Sequence, residues 1–188
     1  MILFVHGLGS CGWGEKSLAL RRHLGLRRVL APDLPFHPEA AMAHLADLCR
    51  RYPVRGLVGS SLGGFYATCL NARDPLPAVL INPAIAPHRL LAGHLGAQQR
   101  WCDGMPFRVG RDWLTALEAM HRPLPAAAER YLVLLQTGDE VLDYRAAASH
   151  YAGKDVRVTP GGSHRFDDFA AQLPLIRDWL AGHGALDH

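Results

Sequence analysis

Short apolar runs of strand length alternate along this chain with segments of helical pattern, and that rhythm restricts the fold more than any other feature. Strands are predicted at 2–5, 28–31, 54–58, 78–81, 131–136 and 156–159, and helices at 18–24, 39–51, 64–72, 144–151 and 166–180. Positions 2–5 and 78–81 are apolar at every residue instead of every second one, the pattern of strands covered on both faces. Strands joined through helices pair in parallel with right-handed crossovers, so the expected class is α/β with a doubly wound, mainly parallel sheet. All 188 residues are expected to form one domain, long enough to bury roughly 70% of its unfolded surface. Between 84 and 125 the rhythm stops. The segment at about 88–125 is expected to be a lid over the strand ends, with Trp101, Met105, Phe107 and Trp113 as an apolar, substrate-binding lining. The plain alternative is that these four side chains pack the segment onto the body.

Ligands of such sheets bind beyond the carboxyl ends of the strands. The loops at that edge carry His6-Gly7-Leu8, Asp33, Ser61, Asn82, Asp139 and His164. Ser61 lies in Gly59-Ser60-Ser61-Leu62-Gly63-Gly64, between an apolar run and a helical one, with a glycine two residues to either side. A sharp strand-to-helix turn leaves no room for Cβ atoms at those two places and pushes the central hydroxyl outward, which makes Ser61 the candidate nucleophile. A structural glycine turn is the plain alternative.

A serine hydroxyl at neutral pH needs a base, and the base needs a group to orient it. On this architecture the order along the chain is serine, acid, histidine. Of eleven histidines, only His150, His164, His183 and His188 follow the candidate acids. His150 falls within a helix and the last two within a polar tail, whereas His164 sits in Gly161-Gly162-Ser163-His164-Arg165-Phe166, just after a strand. Asp139 is the first carboxylate beyond the 131–136 strand and is preferred as the acid. Asp143, suited to cap the next helix, and Glu140 stay as alternatives. For the oxyanion, the backbone amides of Leu62, directly after the serine, and of Leu8, in the loop after the first strand, are the candidate donors. His6 is expected to prop that loop, and neither a metal nor a cofactor is called for.

The net charge of +3 comes from scattered basic residues, so nucleic-acid binding is not implied. Cys11, Cys49, Cys69 and Cys102 form no Cys-x-x-Cys pair and read as free thiols of a reducing compartment. With no signal-peptide pattern and no apolar run long enough to span a bilayer, a cytoplasmic location is expected.

Several of these segments together resemble the α/β-hydrolase superfamily, and within it the small bacterial esterase family typified by YqiA and YcfP. They are His6-Gly7, residues 59–68 around the serine, Ile81-Asn82-Pro83-Ala84, the stretch 135–145 and residues 161–166. The stretch from Leu135 to Arg145 is the most specific of them. The resemblance, running nearly end to end, implies a serine hydrolase acting on carboxylic esters, acyl-thioesters included, with Ser61, Asp139 and His164 as its triad. No strand is expected before Ile2, so the resemblance implies a reduced version of the hydrolase sheet. Substrate would be a small-molecule ester or acyl-thioester. A non-catalytic binding protein on the same fold, and an acyltransferase using the same acyl-enzyme, are the competing functions. Haloalkane or epoxide chemistry calls for Asp where this chain has Ser61.

Overall fold

The computed structural model describes residues 1–122 and 124–186. In chain order the elements are β1 (Ile2–Val5), α1 (Glu15–Leu24), β2 (Val29–Leu30), α2 (Pro38–Arg51), β3 (Gly56–Ser60), α3 (Leu62–Asn71), β4 (Ala78–Ile81) and α4 (Pro87–Leu91). Then come β5 (Gly96–Gln99), β6 (Pro106–Val109), α5 (Arg111–Met120), β7 (Tyr131–Gln136), α6 (Tyr144–His150), β8 (Asp155–Thr159) and α7 (Phe169–Gly182). Six strands form one wholly parallel sheet in the order β2-β1-β3-β4-β7-β8, and β5 pairs antiparallel with β6 in a separate hairpin. The expected α/β class and parallel pairing are what the chain adopts.

The all-apolar strands follow from a core on both sides of the sheet. Leu3, Val5, Leu57, Leu80, Val133 and Leu135 face one way, against α2, α3, α5 and α6. Ile2, Phe4, Val58, Val79, Ile81, Leu132 and Leu134 face the other, against α1 and α7. Successive strand residues point to opposite faces, so a strand between two helical layers must be apolar throughout. Each such side chain removed from water stabilises the fold by roughly 1.5–3 kcal/mol.

Element boundaries moved where local geometry overrode the pattern. β3 runs to Ser60 instead of ending at 58, because its register pairs Gly56 with Ile2 and carries Ser60 alongside Ile81. The last helix starts at Phe169 instead of 166, since Phe166 and Asp168 hold left-handed φ angles of 64° and 55° that no α-helix accommodates. His183, expected in a polar tail, closes α7 by donating Nδ1–H to the Trp179 carbonyl at 2.7 Å and stacking on that indole. His188 lies outside the described residues.

The segment after β4 holds two helices and the β5-β6 hairpin, elements that the sequence pattern does not predict. Its hairpin strands are half-exposed and carry no apolar run to mark them. Val109, Trp113 and Leu117 from this segment are buried in the main core. Cys11 and Cys102 are not free thiols: they form a disulfide across 91 residues of sequence, with Cα atoms 6.6 Å apart, leaving Cys49 and Cys69 free. Folding of the hairpin back onto the loop after β1 brings them together, and no spacing rule marks a pair so distant. The pairing removes those two cysteines from the reasoning that led to a reducing compartment. Among the described residues no helix is long and apolar enough to cross a membrane.

Burial sets the expected cost of core truncation. Leu132 is fully buried in β7, so Leu132→Ala should lower unfolding free energy by about 2–5 kcal/mol in urea titration. Leu26, which is 73% exposed, gives the contrast: Leu26→Ala should change it by no more than about 0.5 kcal/mol.

Candidate active site

At the end of β3 the chain turns straight into α3, and Ser61 takes the bend with φ 55° and ψ −121°. A non-glycine residue in this region costs about 1–3 kcal/mol and persists only where the surroundings fix it. Here they do: Ser61 N–H donates to the Ile81 carbonyl at 3.0 Å, and the Ser61 carbonyl accepts from Gly64 and Ala84 at 2.9 and 3.1 Å. The flanking glycines serve close approach. A Cβ on Gly63 would collide with the Val5 and His6 carbonyls, and one on Gly59 with the backbone of Gly63 and Gly64. Hence α3 begins in contact with the end of β1, and the serine is lifted out of the sheet.

Ser61 Oγ stands 2.9 Å from His164 Nε2. His164 Nδ1 lies 3.0 and 2.9 Å from the two oxygens of Asp139. That geometry assigns the proton: Nδ1–H donates to the carboxylate, and Nε2 accepts from the serine hydroxyl. The Asp139 side chain is only 2% exposed, against 20% for His164. Burial pushes the Asp139 carboxyl up, but the hydrogen bonds from His164 and from the amides of Leu142 and Val141 outweigh it, so its pKa lies below the ordinary value. The other two acids do different work. Asp143 caps α6 by accepting from Arg145 N–H at 3.0 Å, and Glu140 Oε2 accepts from the backbone N–H of His164 at 2.9 Å. His150 sits within α6 and does not approach Ser61 in any hydrogen bond among the described residues.

Among the described residues neither the Leu8 nor the Leu62 N–H has a hydrogen-bond partner. Gly7 brings the Leu8 loop against the serine: a Cβ placed there would stand 3.2 Å from Ser61 Cβ and 3.7 Å from Oγ. His6 props this loop from beneath. Its Nδ1–H donates to the Gly7 carbonyl at 2.9 Å, and Nε2 accepts from Leu34 N–H at 3.1 Å. Burial outweighs the Gly7 bond and the nearby Asp33 charge, so the pKa of His6 is lowered and the ring is held neutral.

The hairpin braces the same loop from above, a role absent from the sequence reading. Trp101 N–H donates to the Gly9 carbonyl at 2.7 Å, and the Trp101 indole covers Gly9 so closely that a Cβ there would strike it. Arg100, with its side chain 10% exposed, pairs with Asp103 and lies 3.6 Å from Asp33, which itself accepts from Gly12 N–H at 2.7 Å. The Cys11–Cys102 disulfide completes the attachment. Of the four side chains expected to line the lid, Trp113 is buried in the core and Phe107 is stacked between it and Phe36. Trp101 and Met105 are exposed. Among the described residues no three His, Cys, Asp or Glu side chains converge as metal ligands.

The sequence matches the family described as Uncharacterised protein family (UPF0227) over residues 1–181. A UPF0227 protein of Shewanella sp. strain ANA-3 is 25% identical over 195 aligned positions, covering 94% of this chain and 97% of the relative. Among solved structures, Est1E of Butyrivibrio proteoclasticus with ferulic acid bound is similar with a TM-score of 0.73 at 16% identity, covering 98% of this chain and 89% of that one. A monoacylglycerol lipase of Paleococcus ferrophilus gives 0.71 at 18%, covering 97% and 94%. At such identities the likeness establishes the fold, which is that of the α/β hydrolases.

The neutral His6 predicts a pH dependence of stability. The unfolded chain takes up this proton near 6.5 and the folded chain only at lower pH, so the unfolded state binds more protons there and stability falls as pH drops below about 6.5. His88 and His150, also lowered by burial, act in the same direction. Melting temperatures measured between about pH 7 and pH 5 should therefore decline in the wild type and decline less steeply in His6→Asn.

Proposed function

The chain belongs to the UPF0227 family, and we propose that it is a serine hydrolase of carboxylic esters, acyl-thioesters included, working through Ser61, His164 and Asp139. One observation carries the reading. The Ser61 hydroxyl, both His164 nitrogens and the Asp139 carboxylate stand in one hydrogen-bonded line, next to two backbone N–H groups that have no partner among the described residues.

In this reading His164 Nε2 takes the hydroxyl proton as Ser61 Oγ bonds to the acyl carbon. The carbonyl π electrons move onto oxygen, and the Leu8 and Leu62 N–H groups stabilise the negative charge that develops there. Asp139 holds the ring in the tautomer that leaves Nε2 free to accept, and stabilises the imidazolium once formed. Collapse of the tetrahedral species breaks the bond to the leaving oxygen or sulfur, which takes the proton from Nε2. Water then gives its proton to Nε2 and its oxygen to the acyl carbon, and a second collapse returns Ser61 and releases the acid. The monoacylglycerol lipase among the structural neighbours is in keeping with this chemistry. Trp101 and Met105, exposed on the hairpin beside the oxyanion loop, are the side chains we assign to contact with the acyl or leaving group.

Wild-type protein should hydrolyse p-nitrophenyl acetate and be labelled by a fluorophosphonate at Ser61. Ser61→Ala should abolish labelling and lower kcat by at least about 10³-fold with an unchanged circular dichroism spectrum. Asp139→Asn should lower kcat by about 10³- to 10⁴-fold, because the amide favours the wrong imidazole tautomer. Wild-type protein that neither turns over nor takes the label would sink the proposal.

A further inference from the structure

The bond between Ser61 and His164 spans two loops more than a hundred positions apart, so the two loops must be held at a fixed distance from each other. The structure assigns that task to Asn82, assisted by Gln136, two buried amides at the ends of the adjacent strands β4 and β7. This assignment rests on the proposed triad and names the positioning residues of that same site.

Asn82 is 2% exposed and stands at φ 39°, a left-handed conformation that Asn tolerates better than β-branched or bulky residues. Its turn touches both reacting partners. On one side the Ser61 N–H donates to the carbonyl of Ile81, Ala84 N–H donates to the carbonyl of Ser61, and Pro83 fills the space beside Gly64. On the other side the Asn82 Nδ2 donates to the carbonyls of Ser163 and His164 at 3.0 and 3.3 Å. Asn82 Oδ1 accepts from Gln136 N–H at 3.0 Å, which ties the turn to β7. One four-residue turn thus braces the backbone of the nucleophile and the backbone of the base.

Gln136, 5% exposed, holds the rest of the histidine loop. Its Oε1 accepts from Ser163 and Asp167 N–H at 3.1 and 2.8 Å, and its Nε2 donates to the Asp167 carbonyl at 2.9 Å. A Cβ on Gly162 would collide with this amide, so the loop closes directly around it. Asn82 uses both Nδ2 hydrogens and its Oδ1, and Gln136 uses its Oε1 twice and its Nε2 once, on partners in β7 and residues 163–167. A buried amide in an apolar sheet costs free energy unless all its polar atoms are satisfied, and here the satisfaction runs to the loop that carries the base.

Asn82→Asp keeps the size and the acceptor for Gln136 N–H but places an oxygen against two carbonyls. With p-nitrophenyl acetate it should lower kcat about 10- to 100-fold with KM within about twofold, and slow fluorophosphonate labelling of Ser61 in parallel. Gln136→Met, which loses all three bonds, should do the same. Gln136→Glu, which keeps both acceptor bonds, should recover part of the loss relative to Gln136→Met. A second readout does not depend on turnover: the downfield proton resonance of His164 Nδ1–H, assigned by its disappearance in His164→Ala, should weaken or vanish in Asn82→Asp and Gln136→Met. If Asn82→Asp fails to fold by circular dichroism, the two Gln136 variants carry both readouts. Folded variants with kcat within twofold of wild type and the resonance intact would overturn the assignment. A wild type that shows the resonance but neither turnover nor labelling would defeat the hydrolase reading while leaving the positioning role to stand on the resonance alone.

Discussion

The close approach of α3 to β1 at Gly63 is the constraint on which the site depends. Where a Cβ would collide with the Val5 and His6 carbonyls, the absence of one lets the helix start against the strand end. That forces the strand-to-helix bend into the single residue Ser61, at a φ of 55°. The bend has two consequences at once. It raises the serine hydroxyl clear of the sheet, and it leaves the first amide of the helix, that of Leu62, without an intrahelical acceptor. The candidate nucleophile and one candidate oxyanion donor are therefore products of the same contact.

The other parts reach that point through different supports. The Leu8 loop is held from below by the neutral ring of His6 and from above by the hairpin, through Trp101, Arg100 and the Cys11–Cys102 disulfide. The segment at 88–125, expected either as a lid or as packing onto the body, thus braces the Leu8 loop and, through Trp113 and Leu117, contributes to the core. On the opposite flank, Asn82 and Gln136 hold the histidine loop against the sheet, while Glu140 engages the His164 amide. Strain in the serine turn is opposed by hydrogen bonds to the end of β4 and to the turn that follows it.

Much of this was legible beforehand because it is local. The strand–helix rhythm follows from apolar runs a few residues long, and the serine turn from glycines two residues away on each side. The order of Ser61, Asp139 and His164 along the chain follows from the strands that precede them. The choice among three nearby acids was harder, since Asp139, Glu140 and Asp143 differ by a few positions and all follow β7. Only the direction of each side chain separates them: one meets the imidazole, one a backbone amide and one a helix terminus. The hairpin is not legible in the sequence because a half-exposed strand of small and polar residues carries no periodic signal.

The amino-acid sequence by itself determined the parallel α/β framework and the strained serine turn, for both follow from side-chain size and polarity among close neighbours. Tertiary structure alone decided which carboxylate meets His164, that Cys11 meets Cys102, and that Asn82 and Gln136 clasp the histidine loop. The physical reason is range. A turn is settled by contacts within a few residues, whereas a hydrogen bond between groups 81 positions apart exists only once the strands leading to them, β4 and β8, have docked on either side of β7.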